Sequence, residues 1–342
     1  FSTLPFNSFV RSLGITKLIF FSLALIYLLD KNEYFNQILA KFIILIITII
    51  ILSMSYQFLN GSLFGHGYVT NHGNSLSGVF GDEYIAGSVL SKMYLLALPF
   101  FFNVKKKNLI IFLYFILVFF FIILSNQRSP IIMTLLSLIC YYLFTYEINF
   151  KKKFFGIFLI VAILFSSLSF NERFHDKFIK KTNNQLFSSP EKSLVSNLKD
   201  TMWGAHFLTA YEIYKDNKFF GSGAKTFRIK CADVKYELIE SDNKDLRCSS
   251  HPHNIYLEIL SEFGLIVFIS MVLFILYFTI LSLKNIFLGK YKNNFYFALL
   301  FILFWPLQTT GSFTSSMNGF FYFIGFAIFY NSIKNLKFKN ND

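Results

Sequence analysis

The stretch CSSHPHNIYLEILSEFG, from Cys248 to Gly264, sets His251 and His253 one residue apart where a polar segment gives way to a long apolar run. A neutral imidazole, with an ordinary pKa near 6.5, is the side chain best suited to take a proton near neutral pH. Helix capping or packing is the alternative use of the pair. Metal binding, with His66 and His72 added, is a third, but zinc needs three or four converging ligands and the linear spacing assembles none, so no metal is expected. Arg128, in ILSNQRSPII, stands between two apolar runs. Its planar guanidinium can fork onto a pyrophosphate or snorkel over apolar surface. Lys92 lies inside an apolar run, where an ionisable group is a functional candidate, with a snorkelling stem or a water-filled cavity as the alternatives. GSGAKTF, from Gly221 to Phe227, invites a phosphate-loop reading, but its spacing is wrong and no strand precedes it, so it reads as a turn. Lys225, Arg228 and Lys230 are basic groups able to meet a phosphate-bearing ligand near the surface.

These residues need elements to hold them. With 54% hydrophobic, 20% aromatic and 15% charged residues, the 342-residue chain has the composition of a polytopic membrane protein. Its net charge of +13 collects in short lysine runs between apolar segments, the mark of cytoplasmic loops rather than of nucleic-acid binding. A spanning helix takes about 20 apolar residues. Segments near that length are 42–59, 84–102, 109–124, 130–144, 154–168, 257–283, 295–308 and 319–330, with a shorter run at 18–29. The fold expected is all-α, with about nine transmembrane helices. The lysines at 105–107 and 151–153, those at 284, 290 and 292, and those at 334, 337 and 339 then share one side, the cytoplasm. The opposite side receives 65–83, 125–129 and the long hydrophilic segment 171–252, and it also receives Phe1, whose position at the start reads as a fragment or processed product.

A polar connection as long as 171–252 is functional or disordered rather than idle. Within it, DTMWGAHFLTAYEIYKDN spaces Trp203, Phe207, Ala210 and Tyr214 as one helical stripe, fit to lie on the membrane or pack on the bundle. Cys231 and Cys248 share this segment, whereas Cys140 lies in an apolar run. In an oxidising compartment the first two can close a loop worth on the order of 3 kcal/mol, holding Arg247 and His251 close to the membrane; two unpaired thiols are the alternative.

His253 and Asn254, followed by nine residues and Gly264, resemble the signature of the O-antigen ligase and polymerase family of bacterial envelope glycosyltransferases. The family's ligases carry a second glycine where this chain has Val267. SLSGVFGDEYIAGSVLSK, LSNQRSPII and FFGSGAKTFRIKC, in this order before the histidines, extend the resemblance over most of the chain. It implies a GT-C-like membrane enzyme of the bacterial inner membrane, performing inverting, metal-independent and cofactor-free glycosyl transfer on the periplasmic face. The donor would be a glycan on undecaprenyl pyrophosphate, and the acceptor a glycan or lipid A-core. His253 is then the candidate base, with His251 as neighbour or substitute. Arg128, Arg228, Arg247 and Lys92 are candidates for the pyrophosphate, with Asn254 also in the substrate site. The expected division is a bundle of about six spans over 1–170, the periplasmic loop 171–255 and about three spans over 256–342. A polymerase joining lipid-linked repeat units uses the same chemistry. A non-catalytic polysaccharide-lipid transporter would instead show repeats and broken helices with midplane charges.

Overall fold

The computed structural model describes residues 2, 5–32, 34–63, 66–67, 75–102, 104–145, 149–170, 172–187, 191–288 and 295–338. His72, Lys290, Lys292 and Lys339 lie outside them, as does the side chain of His66. The described chain is mostly helical. Its first part holds α1 (Pro5–Lys31), α2 (Phe35–Asn60), a two-strand ladder of β1 (Ser62–Leu63) and β2 (His66–Gly67), α3 (Ala86–Met93), α4 (Lys107–Leu124), α5 (Arg128–Phe144) and α6 (Phe150–Phe170). The polar segment folds into α7 (Glu172–His175), α8 (Lys181–Leu186), α9 (Leu194–Lys199), α10 (Met202–Asp216) and α11 (Phe227–Lys230). Then come α12 (Ile255–Phe287), α13 (Phe295–Phe304) and α14 (Ser316–Phe338).

Among the described residues five helices are long and apolar enough to cross a membrane: Ser8–Lys31, Phe35–Asn60, Lys107–Leu124, Phe150–Ser169 and Ile255–Phe287. The run expected at 18–29 is part of the first of these. Helix α5 is shorter, at 17 residues. The continuous span expected over 84–102 is instead the eight-residue α3, a turn and a 3-10 helix at Leu98–Phe101. Every residue from Val89 to Pro99 on this segment is buried in protein, the setting in which broken helix is tolerated at membrane depth. The run expected at 295–308 stops as helix at Phe304, just before Pro306, whose missing N–H cannot extend the ladder. The run at 319–330 belongs to α14, which has 23 residues.

The chain divides into two compact units. One comprises Phe1–Tyr27, Lys181–Phe278 and Trp305–Ser332; the other comprises Leu28–Lys180, Thr279–Phe304 and Ile333–Asp342. In the first, Ala210 and Ile213 of α10 pack on Phe227, Cys231 and Tyr236 to form a small buried core that Leu257 of α12 closes. The buried face of α10 is Gly204, Ala205, His206, Thr209, Ala210 and Ile213. It is rotated from the expected stripe, because close packing selects small residues there and leaves Trp203, Phe207 and Tyr214 half-buried. In the second unit Phe115 sits among Tyr94, Tyr141 and Tyr142, with ring centroids 5.1 to 6.2 Å apart.

Candidate active site

The histidine pair lies in the turn that leads into α12. Asn254 caps that helix: its Oδ1 accepts from the backbone N–H of Tyr256 (3.0 Å) and Leu257 (3.2 Å), and its Nδ2 donates to the Pro306 carbonyl (2.7 Å). This amide is therefore engaged in the fold. His253 precedes the cap with φ +58, a left-handed conformation costing about 1 to 3 kcal/mol for a non-glycine residue and met chiefly where function holds it in place. His251 has both ring nitrogens engaged. Its Nε2 lies 3.0 Å from the Thr310 carbonyl, which can only accept, so this nitrogen carries the proton. Its Nδ1 then accepts from the Ser250 hydroxyl at 2.8 Å. His253 meets the Ser249 hydroxyl through Nε2 at 3.0 Å.

Around His253 the rings form a cluster. His251 lies 4.1 Å away between centroids, tilted at 46°, and His206 lies 5.2 Å away at 25°, nearly parallel. Trp203 stands edge-on at 4.8 Å and 80°. Among the described residues no group of three or more His, Cys, Asp or Glu is placed to hold a metal. Burial pushes His253 down to about 3, helped by His251 and His206 beside it. Burial likewise takes His251 down to about 4; the Thr310 carbonyl opposes the shift, while His206, Arg228 and Lys225 add to it. His206 is also lowered, chiefly by burial. All three imidazoles are neutral at pH 7.

The Gly221–Phe227 segment is a turn that threads against α12. Gly264 breaks that helix with φ +77 and ψ −176. A Cβ on Gly264 would collide with the Phe219 carbonyl and the Gly221 nitrogen, and a Cβ on Gly221 would collide with the Glu262 backbone. Ser222 N–H donates to the Ser261 carbonyl (2.9 Å) and Gly223 N–H to that of Glu262 (2.8 Å). The Glu262 carboxylate accepts from the backbone N–H of Lys225 (2.7 Å) and Phe227 (3.1 Å). Ser2, ahead of α1, and Ser8, in its first turn, close this turn from the other side, since Ser2 donates to the Ser222 carbonyl (2.9 Å) and the Ser8 hydroxyl lies where a Cβ of Gly223 would be. Arg11, one helical turn beyond Ser8, joins Lys225 and Arg228 in a basic cluster. Lys225 is held below the usual lysine range by burial and then by Arg228 and Arg11. Arg228 is exposed.

Cys231 and Cys248 are bonded, with Cα atoms 5.2 Å apart. The bond fixes the chain three residues before His251 to the core under α10. Arg247 faces that core rather than outward: its Nε donates to the Cys231 carbonyl (2.9 Å) and one terminal nitrogen to Glu237 (3.0 Å). It braces the loop.

Arg128 and Lys92 belong to the other unit. Arg128 opens α5 and is half-buried, in a cluster with Tyr84. The preceding Gln127 ties this corner together, accepting from the Ser88 N–H (2.8 Å) and donating to the Tyr84 carbonyl (2.7 Å). Lys177 donates to the Tyr84 hydroxyl, which donates to the Asn126 carbonyl. Gly87 makes this approach possible, for a Cβ there would overlap Ser125. Lys92 is 3% exposed in the last turn of α3. Sequence reasoning did not reach His206, Arg11, Glu258, Glu262 or Thr310. Two of these carried a signal of the kind that singled out Lys92: Glu258 and Glu262 are acidic residues inside an apolar run.

Residues 113–272 match the family model described as O-antigen ligase. The matched stretch contains Arg128, Trp203, His206, the disulfide, His251, His253 and Gly264, and it ends before Thr310. No curated protein matches the chain. The match supports assignment to the O-antigen ligase and polymerase family. The matched residues make up just under half of the 342-residue chain, and the five long apolar helices indicate a multi-pass membrane protein.

Proposed function

We propose that the chain is an O-antigen ligase-like enzyme that moves a glycan from undecaprenyl pyrophosphate to the hydroxyl of an acceptor sugar, such as lipid A-core, at the periplasmic face of the bacterial inner membrane. The observation that carries this reading is His253, neutral, held at positive φ and ringed by His251, His206 and Trp203 at the head of α12, within the stretch that matches the family. In the reaction His253 takes the acceptor proton as the hydroxyl oxygen attacks the anomeric carbon from the face opposite the leaving group. The bond from that carbon to the pyrophosphate oxygen breaks with inversion, and the pyrophosphate leaves on its lipid with the bond's electron pair. A positioned base contributes about 10²- to 10⁴-fold to such a step, and fixed cations stabilise the charge gathering on the leaving group. Neither metal nor cofactor enters.

The pair is asymmetric in this mechanism. His251 has both nitrogens engaged and serves to orient, while among the described residues His253 meets only the exchangeable Ser249 hydroxyl through Nε2. Lys225, Arg228 and Arg11 supply positive charge within the same unit. Arg247 and Asn254 act by bracing the loop and capping the helix. In the bilayer, α5, α13, α14 and the broken segment at 84–102 join the five long helices to give about nine passes. The order is a GT-C-like bundle over 1–170, the outer loop at 171–255 and a second bundle over 256–342. A polymerase is the second reading, favoured by Val267 in place of the ligases' second glycine. Val267 is 44% exposed, so the change lies on the outer surface of α12.

His253→Ala, inserted normally in the membrane, is expected to abolish glycan transfer; retained transfer removes His253 as the base. In a strain lacking the protein, long lipid-linked chains with no polymer on lipid A-core identify a ligase, and accumulated single repeat units identify a polymerase.

A further inference from the structure

Glu258 lies one turn into α12, 1% exposed, in a helix whose other acidic residue is Glu262. Its carboxylate turns toward the segment that follows α13. It accepts from the Ser312 hydroxyl, from the Phe313 N–H (2.8 Å) and from the Thr314 hydroxyl (3.2 Å), with the Thr314 N–H at 3.5 Å. A side chain that accepts from this many donors is a clasp, since removing one buried partner leaves the others unsatisfied. What it clasps is the chain just after Thr310. The Thr310 carbonyl accepts the proton of His251 Nε2 (3.0 Å), and its N–H donates to the carbonyl of His253 (2.8 Å). Pro306, earlier in the segment, receives the amide of Asn254. One short stretch thus meets three consecutive polar members of the HPHN turn, and Glu258 holds it at its far end.

We propose that Glu258 is a positioning residue for the imidazole pair, acting through residues 310–314, which form a wall of the active site lying beyond the family match. The proposal rests on the reading of His253 as the base. The Thr310 carbonyl selects the His251 tautomer with the proton on Nε2, and the Thr310 N–H pins the backbone of a histidine held at positive φ. Loosening the clasp frees both, and a displacement of about 1 Å at a reacting group can cost about 10²-fold in rate.

The test uses the full chain in native membranes, with lipid-linked glycan extracted from a strain lacking the protein as donor, and rates normalised to folded protein. Glu258→Gln keeps the side-chain size but turns one acceptor oxygen into a donor facing other donors. Its kcat is expected to fall about 10- to 100-fold, with little change in KM for the donor. His251→Asn is expected to lower kcat comparably, and the double variant to fall no further than the worse single one, because residues acting as one unit are not additive. A loss seen only as less folded protein, or single losses that multiply in the double variant, overturns the proposal. So does full activity of Glu258→Gln in membranes where His253→Ala is inactive, and that pattern leaves the base assignment standing. Full activity of His253→Ala removes the base assignment itself.

Discussion

At the scale of the residue, the histidine pair illustrates how burial sets a reaction's pH window. In the free protein His253 is pushed down to about 3, first by burial and then by its two imidazole neighbours. It is therefore neutral throughout the physiological range and is a weak base by itself. A pyrophosphate brought beside it changes this, because nearby negative charge favours the protonated ring. Protonation blocks a base, so each limb is a loss of rate as pH falls. The limb in kcat/KM, which reports the free enzyme, is expected below pH 5. The limb in kcat, which reports the complex, is expected at a higher pH. Coincident limbs near 6.5 in both profiles would mean a solvated imidazole and remove the buried one from the mechanism. The pair itself was legible in the sequence because two imidazoles at the edge of an apolar run have few other uses. Its partners were not: His206 and Thr310 reach His253 only through folding, and neither has a local pattern that marks it. The role expected for Arg247 shows the limit of counting charges, since this guanidinium is engaged by Cys231 and Glu237.

At the scale of the element, the length of apolar runs located most of the long helices and missed where they break. Apart from Glu258 and Glu262 the 257–283 run carries no charge, so its composition does not distinguish one helix from two segments meeting at Gly264. The break arises from backbone packing, because the chain at Phe219–Gly221 passes too close for any Cβ. The span expected over 84–102 failed for a related reason, since protein on all sides relieves a buried segment of the need for an unbroken ladder. Gly264→Ala must place a side chain at φ +77 against the Phe219 carbonyl. Strain of this kind costs about 1 to 3 kcal/mol before the collision is counted. The variant is expected to lower the unfolding midpoint in detergent by several degrees, and Gly221→Ala to do the same from the other side of the crossing. An unchanged midpoint in both would mean that the two backbones do not meet there. The disulfide acts on the same assembly, and its closed loop is worth on the order of 3 kcal/mol in the chain-entropy model.

At the scale of the whole molecule, the mechanism stands or falls on which side of the membrane the polar segment occupies. Charge marks the sides: lysines collect at 105–107 and 151–153, as they do in cytoplasmic loops. The segment from 171 to 252 carries carboxylates that pair with several of its basic groups, including Lys192 with Asp200 (2.8 Å), Lys230 with Asp233 (3.2 Å) and Lys235 with Asp216 (2.5 Å). Its positive charge is thus partly compensated, unlike that of the two lysine runs. The bond between Cys231 and Cys248 points the same way, for such bonds persist in oxidising compartments. With Cys140 replaced by Ala and the bonded pair kept, a cysteine placed at the exposed position of Asp245 is expected to react with an impermeant maleimide once the outer membrane is made leaky. A cysteine placed at Lys152 is expected to react only after the inner membrane is opened. The reverse pattern would put the histidines on the side where lipid-linked glycans are assembled rather than transferred. No adjustment of residue roles would then rescue the ligase or the polymerase reading.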